Sequence, residues 1–256
     1  MKITWFGTAM ISYTQEDQTI LFDPFCGWNR KHPCFAPEDL SLCRHIFITH
    51  GHFDHILDTP EVMAQNKALV HCSGTAAKTL IRRGVNPDRI KITAPGDAIE
   101  DGPFAIRVLA GKHIVFDFKL IWTTIFNTRM MRHFGNLLRI IRTTFQCKEG
   151  QTLIYDIACG GKKLLHLGSL NFAHGEQYPQ DVDILVLPFQ GRSDMAAYAL
   201  AAVSKIKPGS VYLHHFDDAF PPISRTVETR DFIRRVQKDF PAIRIIVPER
   251  GKGQTV

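Results

Sequence analysis

The sequence predicts an α+β fold in which two β-sheets pack face to face with helices on their outer sides. Three observations predict it. Both halves of the chain carry short apolar or alternating runs, helical stretches fall between some of them, and no linker, repeat or low-complexity stretch separates the halves. The 256 residues have room for one large domain or two small ones, and the unbroken texture points to one domain over residues 1–256. Apolar residues at 45% and charged residues at 22% exclude a disordered, collagenous or coiled-coil chain.

The first half opens with strands at Lys2–Phe6, Met10–Tyr13 and Thr19–Phe22, the last two joined by the polar turn Gln15-Glu16-Asp17-Gln18. Further strands follow at Arg44–Thr49, Ala68–Cys72, Ile90–Ile92 and Phe104–Ala110. A helix opens at Asp58-Thr59-Pro60-Glu61, with a cap residue, an early proline and an acid in its first turn. Another covers Thr75–Arg83 and is closed by Gly84. In the second half, Thr152–Ala158 and Lys163–Leu167 flank the hairpin turn Gly160-Gly161. A buried-type strand at Ile184–Leu187 precedes a helix at Met195–Ile206, and a strand at Val211–Leu213 precedes a helix at Thr226–Phe240. Ile243–Val247 reads as the last strand.

No run approaches the ~18 apolar residues that span a bilayer. The opening residues carry no signal-peptide core, so a cytoplasmic location is expected. Cys26, Cys34, Cys43, Cys72, Cys147 and Cys159 form no C-x-x-C pair and are expected to be free thiols.

The net charge of +6 is local: residues 119–150 carry six basic side chains against one acidic, and the rest is near neutral. A nucleic-acid-binding surface would spread Lys and Arg more widely, so nucleic acid is not an expected partner. The basic stretch belongs to an insert at about 114–149. As one helix over 119–142 it would place Phe126, Met130, Phe134, Leu137 and Ile141 on one face, Arg132 and Arg139 opposite, and Arg129 and Arg142 on the flanks, with Gly135 as a breaking point. Three roles are open for it: a helix packed over the core, a lid, or peripheral membrane contact through 119–142.

The chemistry-bearing run is Thr49-His50-Gly51-His52-Phe53-Asp54-His55, directly after the apolar Ile46-Phe47-Ile48. Positions two apart in an extended chain point the same way, which pairs His50 with His52. A turn towards Pro60 then brings Asp54 and His55 into the same space. Three imidazoles and a carboxylate suit Zn2+ or a similar ion, and Gly51 permits close backbone approach.

This run resembles the signature of the metallo-β-lactamase fold superfamily. The likeness extends along most of the chain: Ile3–Phe6, Gly7-Thr8-Ala9-Met10-Ile11 and Ile20–Phe25 are similar to the first strands of the metal-dependent hydrolase branch that includes ascorbate-6-phosphate lactonase. The resemblance implies a four-layer αββα sandwich with two mixed sheets. It implies that Asp23, in Asp23-Pro24, orients a metal-bound histidine, although closing a strand is an equally open role. It adds His113 and His215 as ligands from later strand ends, so that His50, His52 and His113 hold one metal and Asp54, His55 and His215 the other. His214 is the rival of His215, and strand alternation turns only one of them inward.

The likeness departs at Leu167-Gly168-Ser169, where Ser169 stands in place of a bridging aspartate. Serine cannot neutralise charge. The second ion should then bind more weakly, and anionic substrates should gain over neutral ones. The expected protein is thus a metal-dependent hydrolase using a metal-bound hydroxide, with Asp54 accepting its hydrogen bond, to cleave an ester, lactone or phosphodiester in a small anionic substrate. The expected cofactor is one or two Zn2+, with Mn2+ or Fe2+ as alternatives. Lys112, Arg129 and Arg132 are candidate substrate contacts. The competing readings are a phospholipase-like phosphodiesterase at a membrane surface and a non-catalytic metal-binding protein with a degenerate site.

Overall fold

The computed structural model describes residues 1–28 and 40–256. Two seven-stranded sheets face each other. The first begins as an antiparallel meander of β1 (Lys2–Gly7), β2 (Met10–Gln15) and β3 (Gln18–Phe22). It continues in parallel through β4 (Cys43–Phe47), β5 (Leu69–Cys72) and β6 (Ile90–Ile92). The second sheet starts with the antiparallel strands β7 (Ala98–Asp101), β8 (Phe104–Ala110), β9 (Leu153–Cys159) and β10 (Lys162–Leu167). Parallel strands β11 (Ile184–Pro188), β12 (Ser210–His214) and β13 (Arg244–Ile246) complete it. The final strand, β14 (Gly253–Thr255), returns to the first sheet and pairs with β1.

Side-chain alternation makes the layers. Ile20 and Phe22 join a central cluster with Tyr155, Ile184 and Val186 between the sheets. Leu21 and Ile46 point the other way, to Val62 and Leu80 of the helices α2 (Thr59–Ala64) and α3 (Gly74–Arg82). Leu185 and Val211 face out from the second sheet onto Val203 of α7 (Met195–Ile206) and Phe232 of α8 (Arg230–Asp239). Full burial of each such side chain contributes about 1.5–3 kcal/mol. The result is the expected α/β/β/α sandwich. A polar seam runs through the central cluster: Tyr13 Oη lies 2.6 Å from His166 Nδ1, and Tyr155 Oη–H donates to the Ile48 carbonyl at 2.9 Å.

Most expected elements appear within a few residues of their predicted ends. The short β7 and β14 were not expected: each has only three or four residues and little apolar content. The helix expected from Thr226 begins at Arg230, because the Val227 amide is bonded to the Phe216 carbonyl.

The insert departs further from expectation. It forms three helices, α4 (Phe118–Ile125), α5 (Arg129–Arg132) and α6 (Phe134–Gln146). The chain breaks after Phe126 and at His133, while Gly135 sits in the first turn of α6. Each break resets the helical phase, so the expected apolar face does not form. Phe126, Phe134 and Ile141 are exposed, and the buried positions of α6 are Ile140 and Thr143.

Cys26 is disulfide-bonded, which corrects the expectation of free thiols throughout; such pairing is set by the fold and not by spacing. Cys43, Cys72, Cys147 and Cys159 are free, and Cys34 lies outside the described residues. Among the described residues no helix is long and apolar enough to cross a membrane.

Candidate metal centre

The run after β4 leaves the sheet at Ile48 and turns into the one-turn helix α1 (Phe53–Ile56), which carries Asp54 and His55. Gly51 makes the turn possible. A Cβ there would lie 2.2 Å from the Lys148 carbonyl oxygen, and the Gly51 amide donates to the Glu149 carbonyl at 2.7 Å. Because the clash is with backbone, Gly51→Ala is expected to destabilise the protein by about 1–3 kcal/mol and to lower metal retention. Urea unfolding and metal analysis of the purified variant would check both, and wild-type values would count against the close approach.

The second sheet supplies two more imidazoles. His113 follows the end of β8, and its turn is held by Ser169 and Asn171. The Ile114 amide donates to Ser169 Oγ at 2.9 Å, and Asn171 Nδ2–H donates to the His113 carbonyl at 3.3 Å. His215 follows β12 in the left-handed region, at φ 56, with its amide bonded to the Thr8 carbonyl. Asp217 returns the bond by accepting from the Thr8 amide.

Two groups of donor atoms result, each within 4.8 Å: His50, His52 and His113, and Asp54, His55 and His215. Each group takes two residues from the first sheet's loop and one from the second sheet. The hydrogen bonds set the tautomers. Nδ1–H of His55 donates to Asp23 Oδ2 at 2.8 Å, that of His113 to the Ile114 carbonyl at 2.8 Å, and that of His215 to Gln190 Oε1 at 3.1 Å. The Thr49 hydroxyl spends its hydrogen on Asp23 Oδ2 and so accepts from His50 Nδ1–H at 3.1 Å. In their neutral forms all four rings therefore keep Nε2 as a bare acceptor. His50 Nε2 is buried with no hydrogen-bond partner, and His215 Nε2 lies 3.3 Å from Asp54 Oδ2. Such lone pairs facing one another fit a cation between them.

Electrostatics agree. Burial, reinforced by the neighbouring imidazoles, holds His50 well below the usual histidine range. Burial brings His52 down to about 4 and also lowers His113. Burial alone would raise the Asp54 carboxyl, but His55 and His215 outweigh it and keep Asp54 ionised. For His55, burial opposes the cation and is outweighed by Asp23 and Asp54. Asp23 also accepts from the Thr49 amide at 2.7 Å, so one buried carboxylate binds the strand end to the His55 ring.

His214 is not in the centre. Its Nε2 meets the Leu167 carbonyl at 3.1 Å and its ring stacks on His166, which leaves it inside the fold. Three further candidates stand away from the cavity beside the centre. Lys112 and Arg132 are exposed and do not line the cavity beside the centre. Arg129 is bound to Asp218 at 2.5 Å and does not line it either. Lys112 lies beyond the end of β8, where no strand fixes its direction, and the two arginines lie at and around α5, between the breaks of the insert.

The cavity has a volume of about 730 Å³ and is bounded by apolar side chains including Phe116, Leu120, Ile140, Leu170, Met195 and Phe220. Its arginines are Arg192 and Arg225. Arg192 bonds the Val115 carbonyl and lies 3.6 Å from Asp117, whereas Arg225 is exposed and has no ion pair among the described residues. Glu228 and Asp231, also at the cavity, are paired with Arg230 and with Arg234 and Arg235. Asp194 lines the cavity too and caps α7 by accepting from the Ala197 amide. Sequence reasoning missed Gln190, Asp217 and the two arginines as parts of the site. Gln190 and Arg192 lie in a loop adjoining a strand end, which was the only signal; Arg225 offered none.

A family model for the beta-lactamase superfamily domain matches residues 18–216, a span that contains both triads. The chain belongs to the beta-lactamase superfamily. Within that superfamily it is similar to the UPF0173 metal-dependent hydrolase YtkL of Bacillus subtilis, 38% identical over 86 residues that cover 34% of this chain and 37% of that one. A UPF0173 metal-dependent hydrolase of Archaeoglobus fulgidus is 23% identical over 257 residues, covering 99% of this chain and 98% of the other. Among solved structures, Igni18, a metallo hydrolase from Ignicoccus hospitalis, superposes with a TM-score of 0.68 at 22% identity, covering 99% of this chain and 97% of Igni18. That likeness shows a shared fold over nearly the whole of both chains. The first curated relatives are matched over less than half of their own length, 37% for YtkL and 44% for a Rhizobium johnstonii protein.

Proposed function

We propose that this chain is a metal-dependent hydrolase that cleaves an ester, lactone or phosphodiester bond in an anionic substrate. The observation that carries the reading is the unpartnered, buried Nε2 of His50 among converging imidazoles whose Nδ1 hydrogens are committed elsewhere. The donor set, five imidazoles and one carboxylate, suits Zn2+, with Mn2+ or Fe2+ as alternatives. An ion bound there lowers the pKa of a water from about 15.7 towards ~7 and polarises a carbonyl or phosphoryl oxygen.

The protein's own groups supply the rest. Asp54, kept ionised, accepts the attacking water's hydrogen bond. Asp23 and Gln190 hold His55 and His215 by their Nδ1 hydrogens. Arg192 and Arg225 offer positive charge to an anionic group, and the apolar wall excludes bulk water. Names of relatives as metal-dependent hydrolases support the same reading. The likeness of the opening strands to the lactonase branch keeps a lactone among the candidate bonds. Hydrolysis of a panel of phosphodiesters and lactones by the metal-loaded protein, with His50→Ala as control, tests it. Bound metal without turnover on any member would leave a metal-binding protein instead.

Ser169 bears on the number of ions. In this fold a carboxylate is expected at its place, and here a hydroxyl accepts from the Ile114 amide. An aspartate could keep that bond and add a negative charge. Ser169→Asp is therefore expected to tighten the second ion at least about tenfold, or 1.4 kcal/mol. Metal titration after chelation measures this, and two tightly held ions in the wild type would sink it.

A further inference from the structure

Of the fifteen large apolar side chains that stand exposed among the described residues, ten lie between Val115 and Phe145, in the insert. Phe118, Trp122 and Phe126 form a ladder along α4, with ring centroids 5.9 and 4.3 Å apart. Phe118 is 76% exposed, Met131 85% and Phe145 80%. A water-facing helix surface does not ordinarily gather so many apolar side chains.

The charges around this surface have one sign. Between Asp117 and Glu149 the chain holds no acidic residue and six basic ones. Arg129 is spent on Asp218, and the Arg139 guanidinium lies 4.2 Å from the centre of the Trp28 ring. Lys119, Arg132, Arg142 and Lys148 are exposed. A second copy of this chain placed symmetrically on the face would bring like charges together, which disfavours self-association there. An anionic lipid surface meets both features, since aromatic rings settle at headgroup depth while Lys and Arg engage the headgroups.

We propose that the insert docks the protein on an anionic lipid bilayer through the outer side of α4, α5 and α6. The inner side of the same segment lines the cavity through Leu120, Thr124, Ile140 and Thr144, so a docked bilayer lies one helix away from the candidate metal centre. Docking needs neither bound metal nor turnover, and its failure is separable from that of the hydrolase reading.

The test uses the full chain with vesicles of phosphatidylcholine alone and with added phosphatidylserine. The protein should sediment with the anionic vesicles only, release as salt rises, and show a blue shift of tryptophan emission that Trp122→Phe removes. Trp5 is buried and the Trp28 ring packs between Phe53 and Arg139, which leaves the exposed Trp122 as the ring best placed to report. Combined Trp122→Ser and Phe126→Ser should weaken binding about tenfold or more, and combined Arg132→Glu and Arg142→Glu should do the same. All four positions are exposed, so melting temperatures should match the wild type. Equal recovery with neutral and anionic vesicles, no recovery with either, or a dimer in light scattering that Trp122→Ser dissociates would each overturn the proposal.

Discussion

His50→Ala is expected to strip the ion from the first triad and to cut hydrolysis about 10³-fold or more, because several kcal/mol of charge stabilisation leave with the metal. His50 is 1% exposed, and its ring centroid lies 3.9 Å from His55, 4.8 Å from His52 and 4.9 Å from His113. Its removal leaves that triad with two neutral donors, too few to hold a divalent ion well. The thermal shift separates this outcome from simple misfolding. Wild-type protein with an ion at a hundred times its Kd should gain about 2.7 kcal/mol of stability. The variant should gain much less, while its metal-free form melts close to the metal-free wild type. A variant that keeps its metal and its activity would remove the centre from the mechanism.

Asp23→Asn is expected to be the most destabilising of the substitutions considered. The carboxylate is fully buried and accepts three hydrogen bonds, from the Thr49 amide, the Thr49 hydroxyl and His55 Nδ1, at 2.7, 2.7 and 2.8 Å. An amide can accept at only one of its ends, so one donor would face another donor. Breaking a buried ionic partnership of this kind costs about 3–5 kcal/mol. Asp23 sits at φ 46, a region that asparagine tolerates, so the substitution isolates the lost charge from backbone strain. With the His55 ring no longer held, metal affinity should fall about 10–100-fold. Denaturant unfolding with and without chelator would show both losses. Unchanged stability would mean that the three bonds carry no net weight.

How much of this was legible beforehand depended on distance along the chain. His50, His52, Asp54 and His55 could be read locally, since they follow a buried strand within six residues. The layered fold could be read because alternation in Ile20-Leu21-Phe22 and Ile184-Leu185-Val186 is what two covered sheet faces require. His113 and His215 came only from family likeness. Strand alternation does not orient His215, which lies beyond β12 in a left-handed turn fixed by Thr8. Arg192 and Arg225 are loop residues whose meeting depends on how β11 and the segment after Phe220 pack, and no periodicity carries that. The insert was misread for a definite reason: a wheel drawn over 119–142 assumes one continuous phase, and the breaks after Phe126 and at His133 destroy it.

Neither donor group belongs to one sheet; each joins the loop after β4 to the end of β8 or β12. An ion bound by either group would act as a rivet through the two halves of the sandwich, beside the backbone bonds from Gly51 to Glu149 and from His215 to Thr8. Slower amide deuterium uptake on loading should then appear in both halves at once, far beyond the ligands themselves.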